Sequence, residues 1–443
     1  MKLFTFPGGV HPSYRKDISI IEPLRDAPLP DIAVVPLSQH IGTPNEPVVK
    51  KGDEVLEGQV IGASGSFVSS KVHAPVSGEI LDIKKAFHPA LGPVLSVFIE
   101  TNKDKGLVSF SEQDIDSFSK EELVRKIKDA GVVGMGGAAF PTHVKFSIPE
   151  GRKIKTLIIN GAECEPYLTC DHMLMTKKAK EILIGVGLIS RIIEPENIYI
   201  AVEDNKKAAI FAFQKTIKKY AYRLPAGVKV AALKTKYPQG GEKQIIKAIT
   251  GKEVPPGKLP LDIGFLVQNA GTVNAVYEAI TFNKPLIERI VTVSGDCMEN
   301  PGNFLMKIGT TIKEIREKCG LVFTREPSKI VVGGPMMGFA QPGDMSPVLK
   351  NTSGVLFLSD KAAKRFDEQP CIRCAKCVDV CPMRLLPTEI MRNVKANRYE
   401  ELEKLFISDC MECGSCNYIC PARIPLVQYI KEGKAVISRK SVK

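Results

Sequence analysis

Two copies of one cysteine pattern near the end of this 443-residue chain restrict its architecture more than any other feature. Cys371-x2-Cys374-x2-Cys377-x3-Cys381-Pro382 is followed by Cys410-x2-Cys413-x2-Cys416-x3-Cys420-Pro421. A 4Fe-4S cube needs four converging thiolates. Three closely spaced cysteines wrap around it and the fourth approaches from elsewhere; in two-cluster proteins the fourth cysteine of each run serves the other cube. The pattern therefore predicts one cluster on Cys371, Cys374, Cys377 and Cys420, and a second on Cys410, Cys413, Cys416 and Cys381. Zinc also uses Cys-x2-Cys pairs, but four ligands satisfy it, leaving the third cysteine and the Cys-Pro of each run unexplained. A disulfide framework explains the spacing less well still.

Hydrophobic content of 44% and charged content of 25% describe an ordinary globular protein, and the length predicts three or four domains. The apolar run before Pro7-Gly8-Gly9 is too short for a secretory signal. The longest apolar stretch, 182–193, is interrupted by Gly185, Gly187, Ser190 and Arg191 and falls short of the ~18 residues of a membrane span. The expectation is a cytoplasmic protein with no transmembrane segment of its own. The net charge of +12 invites a nucleic-acid partner, yet each oxidised cluster with its thiolates contributes about −2. The lysines are also scattered without interleaved aromatic residues, so nucleic-acid binding is not expected. An acidic partner or lipid surface suits the charge better.

Residues 31–100 alternate short apolar runs with Gly-Asp and Ser-Gly turns, predicting hairpins. The phrases Val49-Lys50-Lys51-Gly52-Asp53 and His73-Ala74-Pro75-Val76-Ser77-Gly78 resemble lipoyl and biotinyl carrier domains, the barrel-sandwich hybrid. Carriers place a modifiable lysine at a hairpin tip; here the expected tip, Gly62 to Ser66, has none, and Lys71 lies four residues before Pro75. A docking domain is expected. From Ser119 to Ile280, helix-length stretches (121–130, 177–193, 206–220) alternate with buried-type strands at 156–160, 198–202 and 228–233, which predicts a parallel sheet with crossover helices. Residues 288–358 read as strand, short helix, strand, and Gln341 to Pro347 as a linker. The fold class is thus multidomain α/β plus β: a barrel-sandwich domain (1–110), a Rossmann-like α/β domain (118–285), a β-grasp domain (286–358) and a helical two-cluster ferredoxin-type domain (360–443), with a helical insert at 387–406 between the cysteine runs.

Electrons need a source, and the candidate is the loop Gly131-Val-Val-Gly134-Met-Gly136-Gly137-Ala-Ala-Phe140-Pro141-Thr142-His143-Val144-Lys145. Its glycines let backbone N–H groups approach a phosphate or flavin edge, and Pro141 suits the first turn of a following helix. It follows a helix rather than a strand, which departs from the dinucleotide fingerprint, and a plain turn remains open on composition alone. With Asn160-Gly-Ala-Glu163-Cys-Glu165-Pro166 and Asp171, this loop resembles the FMN- and NADH-binding subunit of respiratory complex I and related hydrogenase diaphorases. That resemblance implies FMN held by Gly134, Gly136, Gly137, Lys145, Asn160, Glu163 and Glu165, with NAD(H) as substrate stacking on it near Phe140, and with Glu165, Gly241 and Glu242 near the nicotinamide or ribose. Two departures, Ala162 and Lys243 where the family has carboxylates, bear on the NADH contacts. Gln268 and Asn269, with Tyr237, Gln239, Gly240 and Thr272, fall after strands, where α/β ligand sites form.

Over nearly its whole length, beginning with Phe6-Pro-Gly-Gly-Val-His-Pro12, the chain resembles the RnfC family of Rnf-complex proteins, and its β-grasp part resembles soluble-ligand-binding β-grasp (SLBB) domains. The resemblance implies a peripheral protein on the cytoplasmic face of the inner membrane, bound to the other subunits of a complex that couples electron flow between reduced ferredoxin and NAD to sodium or proton transport. A cobalamin reductase, a soluble diaphorase and a flavin-free docking subunit are the rival readings. Cys164, Cys170 and His172 fit no common metal spacing; Cys297 and Cys319 suit core packing; His143 suits a helix surface or a ligand-orienting role.

Overall fold

The computed structural model describes residues 2–105, 108–220, 224–225 and 227–441; Met1 and Lys443, the outer limits expected of the first and last domains, lie outside them. In the α/β domain the strands Thr156–Gly161, Asn197–Glu203, Val228–Leu233 and Phe265–Asn269 form one parallel sheet. Their near-continuous apolar runs suit strands covered on both faces. The helix Ala179–Ile193 and the helix Ala270–Phe282 bury Ile182, Val186, Ile189, Val273 and Val276 in the core beside it. In space the strands run third, second, first, fourth. The order therefore reverses between Thr156–Gly161 and Phe265–Asn269, and crevices for ligands open at the carboxyl ends of such strands. Register sets Asn269 beside Asn160 there.

The chain enters this domain through the helix Lys120–Asp129, started by a capping box of Ser119 and Glu122, and passes from it into the glycine loop. The helix expected at 177–193 is present as Ala179–Ile193, and a separate helix, Cys170–Lys177, not expected from the sequence, ends just before it at Lys178. After the loop, Pro141 is the N-cap of a helix of five residues, Thr142–Phe146. So short a helix has little macrodipole to offer an anion.

The sandwich begins at Ile32. Its four-stranded sheet orders Ile32–Pro36, Gly92–Thr101, Gly78–His88 and Glu54–Val55; the second sheet orders Glu46–Pro47, Val60–Ala63 and Val72–His73. Ala33, Val35, Ile61, Val72, Ile80, Val97 and Ile99 fill the space between. The segment 62–66 is not a tight hairpin tip: the strand Val60–Ala63 runs into a loop that ends at Lys71, whose ammonium lies 2.8 Å from Asp129. That contact fastens Lys71 to the α/β domain, unlike a carrier's free lysine. Residues ahead of the sandwich are spread over the other domains. Phe4 pairs with Leu233 and Val10 with Tyr237, while Arg25–Asp26 adds an edge strand to the β-grasp sheet.

That sheet has six strands, ordered Arg25–Asp26, Gly302–Lys307, Glu288–Ser294, Gly354–Leu358, Lys329–Val332 and Phe339–Gln341. The proline- and glycine-rich segment 341–347, expected as a linker between domains, instead returns the chain into the sheet. Buried Val348 and Leu349 and the fully buried strand Gly354–Leu358 follow it, and that strand takes an inner position. The cysteine-rich domain is helical. Its insert is the helix Pro387–Lys395 and the 3-10 turn Tyr399–Glu401, packed through Ile390, Val394 and Leu402 on Ile430 of the helix Leu426–Ser441.

The domains are joined by buried polar groups. Lys350 is fully buried and donates to the carbonyls of Lys71 (2.6 Å) and Gly131 (2.7 Å). A chain of ion pairs runs from Lys284 through Glu288 and Lys307 to Glu57, linking three domains. Among the described residues no helix is long and apolar enough to cross a membrane.

Candidate functional site: a crevice beside two cysteine sets

Cys371, Cys374, Cys377 and Cys420 line one cavity of about 240 Å³. Cys381 joins the other run. Burial pushes the Cys410 thiol up to about 11, and the neighbouring Cys413 and Cys381 thiols add to the shift. Cys413 and Cys416 are raised likewise by burial, and Cys381 contributes to both. The two halves repeat in backbone as well as sequence. Arg373, Ala375 and Arg384 are left-handed, and so are Glu412, Gly414 and Arg423, each 39 residues on (412 − 373, 414 − 375, 423 − 384). Such reversals turn successive N–H groups toward one side, making an anion-binding nest. Two of them reach sulfur: Leu385 N–H donates to Cys381 Sγ (3.3 Å) and Glu412 N–H to Cys410 Sγ (3.4 Å).

The spread of the thiols tests what they hold. Zinc–thiolate bonds of about 2.3 Å would draw four sulfurs to within about 3.8 Å of one another. Among the described residues no three His, Cys, Asp or Glu side chains are placed to hold a single ion. Four thiols around a cavity of about 240 Å³ fit a polynuclear iron-sulfur group rather than a single ion.

The set of Cys381, Cys410, Cys413 and Cys416 is the inner one. Tyr237, buried in the α/β domain, donates its hydroxyl to the Cys413 carbonyl at 2.6 Å. Gln244 reaches the Pro382 carbonyl (3.5 Å) and Lys243 lies 3.5 Å from Asp409. The N-terminal strap closes the joint, with Gly9 N–H donating to the Val380 carbonyl (2.8 Å). The other set faces outward, and Cys374 is the one exposed cysteine.

At the carboxyl ends of the parallel strands the structure brings most of the expected ligand residues together. Asn160 donates to the Gly240 carbonyl (2.8 Å) and holds the Ala162 amide. Lys145 lies 3.0 Å from the Glu242 carboxylate and 3.3 Å from the Val267 carbonyl, next to Gln268. The glycine loop closes with Gly134 N–H on the Phe140 carbonyl (2.9 Å) and is pinned by Met135 N–H on the Thr272 hydroxyl (2.9 Å). A Cβ on Gly136 would lie 2.9 Å from Asn269, whereas Gly137 borders open space. The amide nitrogen of Gln268 and both side-chain polar atoms of Gln239 are buried without a partner. Unpaired buried polar atoms cost about 1–3 kcal/mol each, so orphan amides beside a glycine cradle fit a polar ring system such as FMN.

Three expected residues are turned to other partners. Glu163 accepts from the amides of Asp171 (2.9 Å) and His172 (3.3 Å) and from the Cys170 thiol, capping the helix Cys170–Lys177. Asn269 caps the helix Ala270–Phe282 and donates to Asp171 (2.7 Å), whose carboxyl is raised to about 6 by burial and by Glu163. Glu165 accepts from the amides of Met336 (3.0 Å) and Met337 (2.9 Å) in the β-grasp domain and stands 3.5 Å from the Tyr237 hydroxyl. Burial pushes its carboxyl up to about 7 although those donors oppose the shift. His143 is buried and hydrogen-bonded to the Phe67 carbonyl (3.2 Å), Cys164 accepts from Gly240 N–H (3.4 Å), and Cys297 and Cys319 lie in the β-grasp core. Sequence reading missed Lys16 and Lys206. Both are buried lysines, holding the carbonyls of Glu165 (2.7 Å) and Glu163 (3.1 Å), and no local pattern announces them.

Residues 4–104 match the RnfC barrel sandwich hybrid domain, 127–278 the Nuo51 FMN-binding domain, 290–340 the SLBB domain and 363–421 the 4Fe-4S dicluster domain. The chain is 42% identical over 448 residues to the C subunit of the proton-translocating ferredoxin:NAD(+) oxidoreductase complex of Clostridium ljungdahlii, covering all of this chain and 96% of that protein. The chain belongs to the RnfC family. A second RnfC relative, the C subunit of the Na(+)-translocating ferredoxin:NAD(+) oxidoreductase complex of Acetobacterium woodii, is 42% identical over 90% of this chain and 89% of its own. The C subunit of the ion-translocating oxidoreductase complex of Rhodobacter capsulatus is 39% identical over 99% and 84%. Beyond RnfC proteins, a chain of an NAD+-reducing NiFe hydrogenase in the air-oxidized state shares the fold, with a TM-score of 0.51 at 17% identity over 66% of this chain and 55% of that one.

Proposed function

We propose that this chain is the NAD(H)-side subunit of a membrane-associated, ion-translocating ferredoxin:NAD oxidoreductase complex, with FMN and two 4Fe-4S clusters as its cofactors. The observation that carries the reading is the direct hydrogen bond between the two sites: Tyr237, at the edge of the crevice, donates to the carbonyl of Cys413 in the inner cysteine set. FMN, when bound, supplies the exchange between a two-electron hydride and single electrons. The chain's own task is to hold and shield. Gly134, Gly136 and Gly137 admit the ring system closely, and Gln268 and Gln239 offer it buried amides. Lys145 supplies a cation, and Glu242 stands beside it on the side expected for nicotinamide. Phe140, Asn160 and Gly241 complete the crevice. Glu163, Asn269 and Glu165 position its walls from behind.

Cys371, Cys374, Cys377 and Cys420 hold one cluster and Cys410, Cys413, Cys416 and Cys381 the other. Burial raises the Cys410, Cys413 and Cys416 thiols, so cluster assembly there must displace protons. The absence of any spanning helix among the described residues supports a peripheral position, and the cytoplasmic face of the membrane suits a site for NAD(H).

Anaerobically reconstituted protein should hold about eight irons per chain, release flavin on denaturation, and pass electrons from NADH to a dye. Iron without flavin or NADH-driven reduction would instead support a docking role. In Cys420→Ala, EPR should lose the outer cluster and keep the inner; the opposite loss would reverse the ligand assignment.

A further inference from the structure

The outer cysteine set lies at a surface that is cationic and apolar at once. Cys374 is exposed, and beside it Ile372 is 68% exposed; Phe366, 53% exposed, lies under the guanidinium of Arg423 at 4.5 Å. Arg365, Arg373, Lys376 and Arg423 are exposed and form no ion pair among the described residues. Arg373 lines the cavity itself. The acidic residues of this segment do not neutralise them: Glu368 is taken by Lys395 and Tyr429 and Glu389 by Arg392, leaving Asp367 and Asp379. The inner set, by contrast, is covered by the α/β domain and the strap.

From this juxtaposition we propose that the face around Cys374 is the docking surface for an acidic protein that carries a one-electron centre, with Arg365, Arg373, Lys376 and Arg423 steering it and Ile372 and Phe366 forming the contact. Unpaired cations around an apolar centre are the arrangement that speeds encounter and orients a partner of opposite charge. Electron-transfer contacts are small, below about 1,200 Å², and a patch of this kind suffices. An anionic lipid surface matches the charge but accepts no electron, and it gives no reason to ring a thiol set with arginines.

The inference rests on the reading that this set holds a cluster, which iron content and EPR establish separately for each sample. The test is binding, measured by calorimetry with reconstituted full-length protein and an oxidised acidic bacterial ferredoxin as probe. Basic cytochrome c and phosphatidylglycerol vesicles serve as controls. The ferredoxin should bind at low salt and weaken at least tenfold between 50 and 200 mM salt, by roughly the loss expected when several charges are screened. The double variant Arg365→Glu/Arg423→Glu should weaken it at least tenfold with both clusters retained. As a second measurement on the unaltered protein, a zero-length carboxyl–amine crosslink from the ferredoxin should fall on Lys376. Cytochrome c binding as tightly, salt-independent binding, an unaffected double variant, or vesicle binding with no ferredoxin binding would each overturn the proposal. Loss of EPR signal from the unaltered protein would instead count against the cluster assignment.

Discussion

At the scale of single residues, the crevice depends on close approach. Gly136 touches Asn269 where a methyl group would stand 2.9 Å from it, and Asn269 cannot yield because both ends of its amide are engaged, with Asp171 and with the helix start. Gly136→Ala should therefore lose most bound flavin while iron content stays constant, as read by fluorescence after denaturation. Tyr237→Phe keeps the buried ring but removes the 2.6 Å donation to the Cys413 carbonyl, an interaction worth about 0.5–1.5 kcal/mol. A hydroxyl dipole aimed at a ligand's carbonyl favours the more negative, reduced cluster, so one potential should fall and the other should not, in an EPR-monitored redox titration. The cysteines and glycines were legible in the sequence because spacing and the lack of a Cβ have local consequences. Glu163 and Glu165 were legible only as members of a motif. Where their carboxylates point depends on the start of the helix at Cys170 and on amides at Met336 and Met337, and neither partner is encoded beside them.

At the scale of elements, the N-terminal strap is a clasp. Gly9 has φ +83°, and a Cβ there would sit 2.6 Å from the Tyr237 carbonyl oxygen; at Gly8, φ +82°, it would sit 3.1 Å from that of Cys381. Gly9→Ala should cost about 1–3 kcal/mol of local backbone strain and loosen the cysteine-rich domain. Limited proteolysis should then release that domain faster, with cluster absorbance retained. Pro7-Gly8-Gly9 is visible in the sequence, but its partners lie more than 200 residues away, so the segment read as the start of a sandwich. Segment 341–347 misled for a related reason. Proline, glycine and aspartate mark a turn equally well between domains or within one, and only the buried strand Gly354–Leu358 that follows decides between them. Three strands of the parallel sheet were legible as largely apolar runs; the fourth, Phe265–Asn269, was not, and it sets Gln268 and Asn269 at the end of a strand rather than in a loop after one.

At the scale of the whole molecule, charge holds the domains in place. Burial alone would raise the Glu288 carboxyl, but the ammonium groups of Lys284 and Lys307 outweigh it and hold the carboxyl at about 2. A carboxyl lowered from about 4.5 in the unfolded chain contributes stability that is full above pH 4.5 and is lost as pH falls through 2. Glu288→Gln should thus cost on the order of 3 kcal/mol at pH 7, and the difference in urea midpoint should shrink steadily from pH 4.5 downward. Apart from the Lys284–Glu288 pair, four residues apart, this network does not show in local pattern, because Glu57 and Lys307 come from distant segments. The placement of Gly354–Leu358 has a consequence for how the protein is made. On the ribosome, the six-stranded sheet has its edge strand, Arg25–Asp26, almost at once, but waits for the last of its inner strands until residue 358 has emerged. The cluster cysteines emerge only after that. A nascent chain thus completes the β-grasp sheet that carries Met336 and Met337 before its first cluster ligand is exposed, and iron is delivered to a body whose other walls already stand.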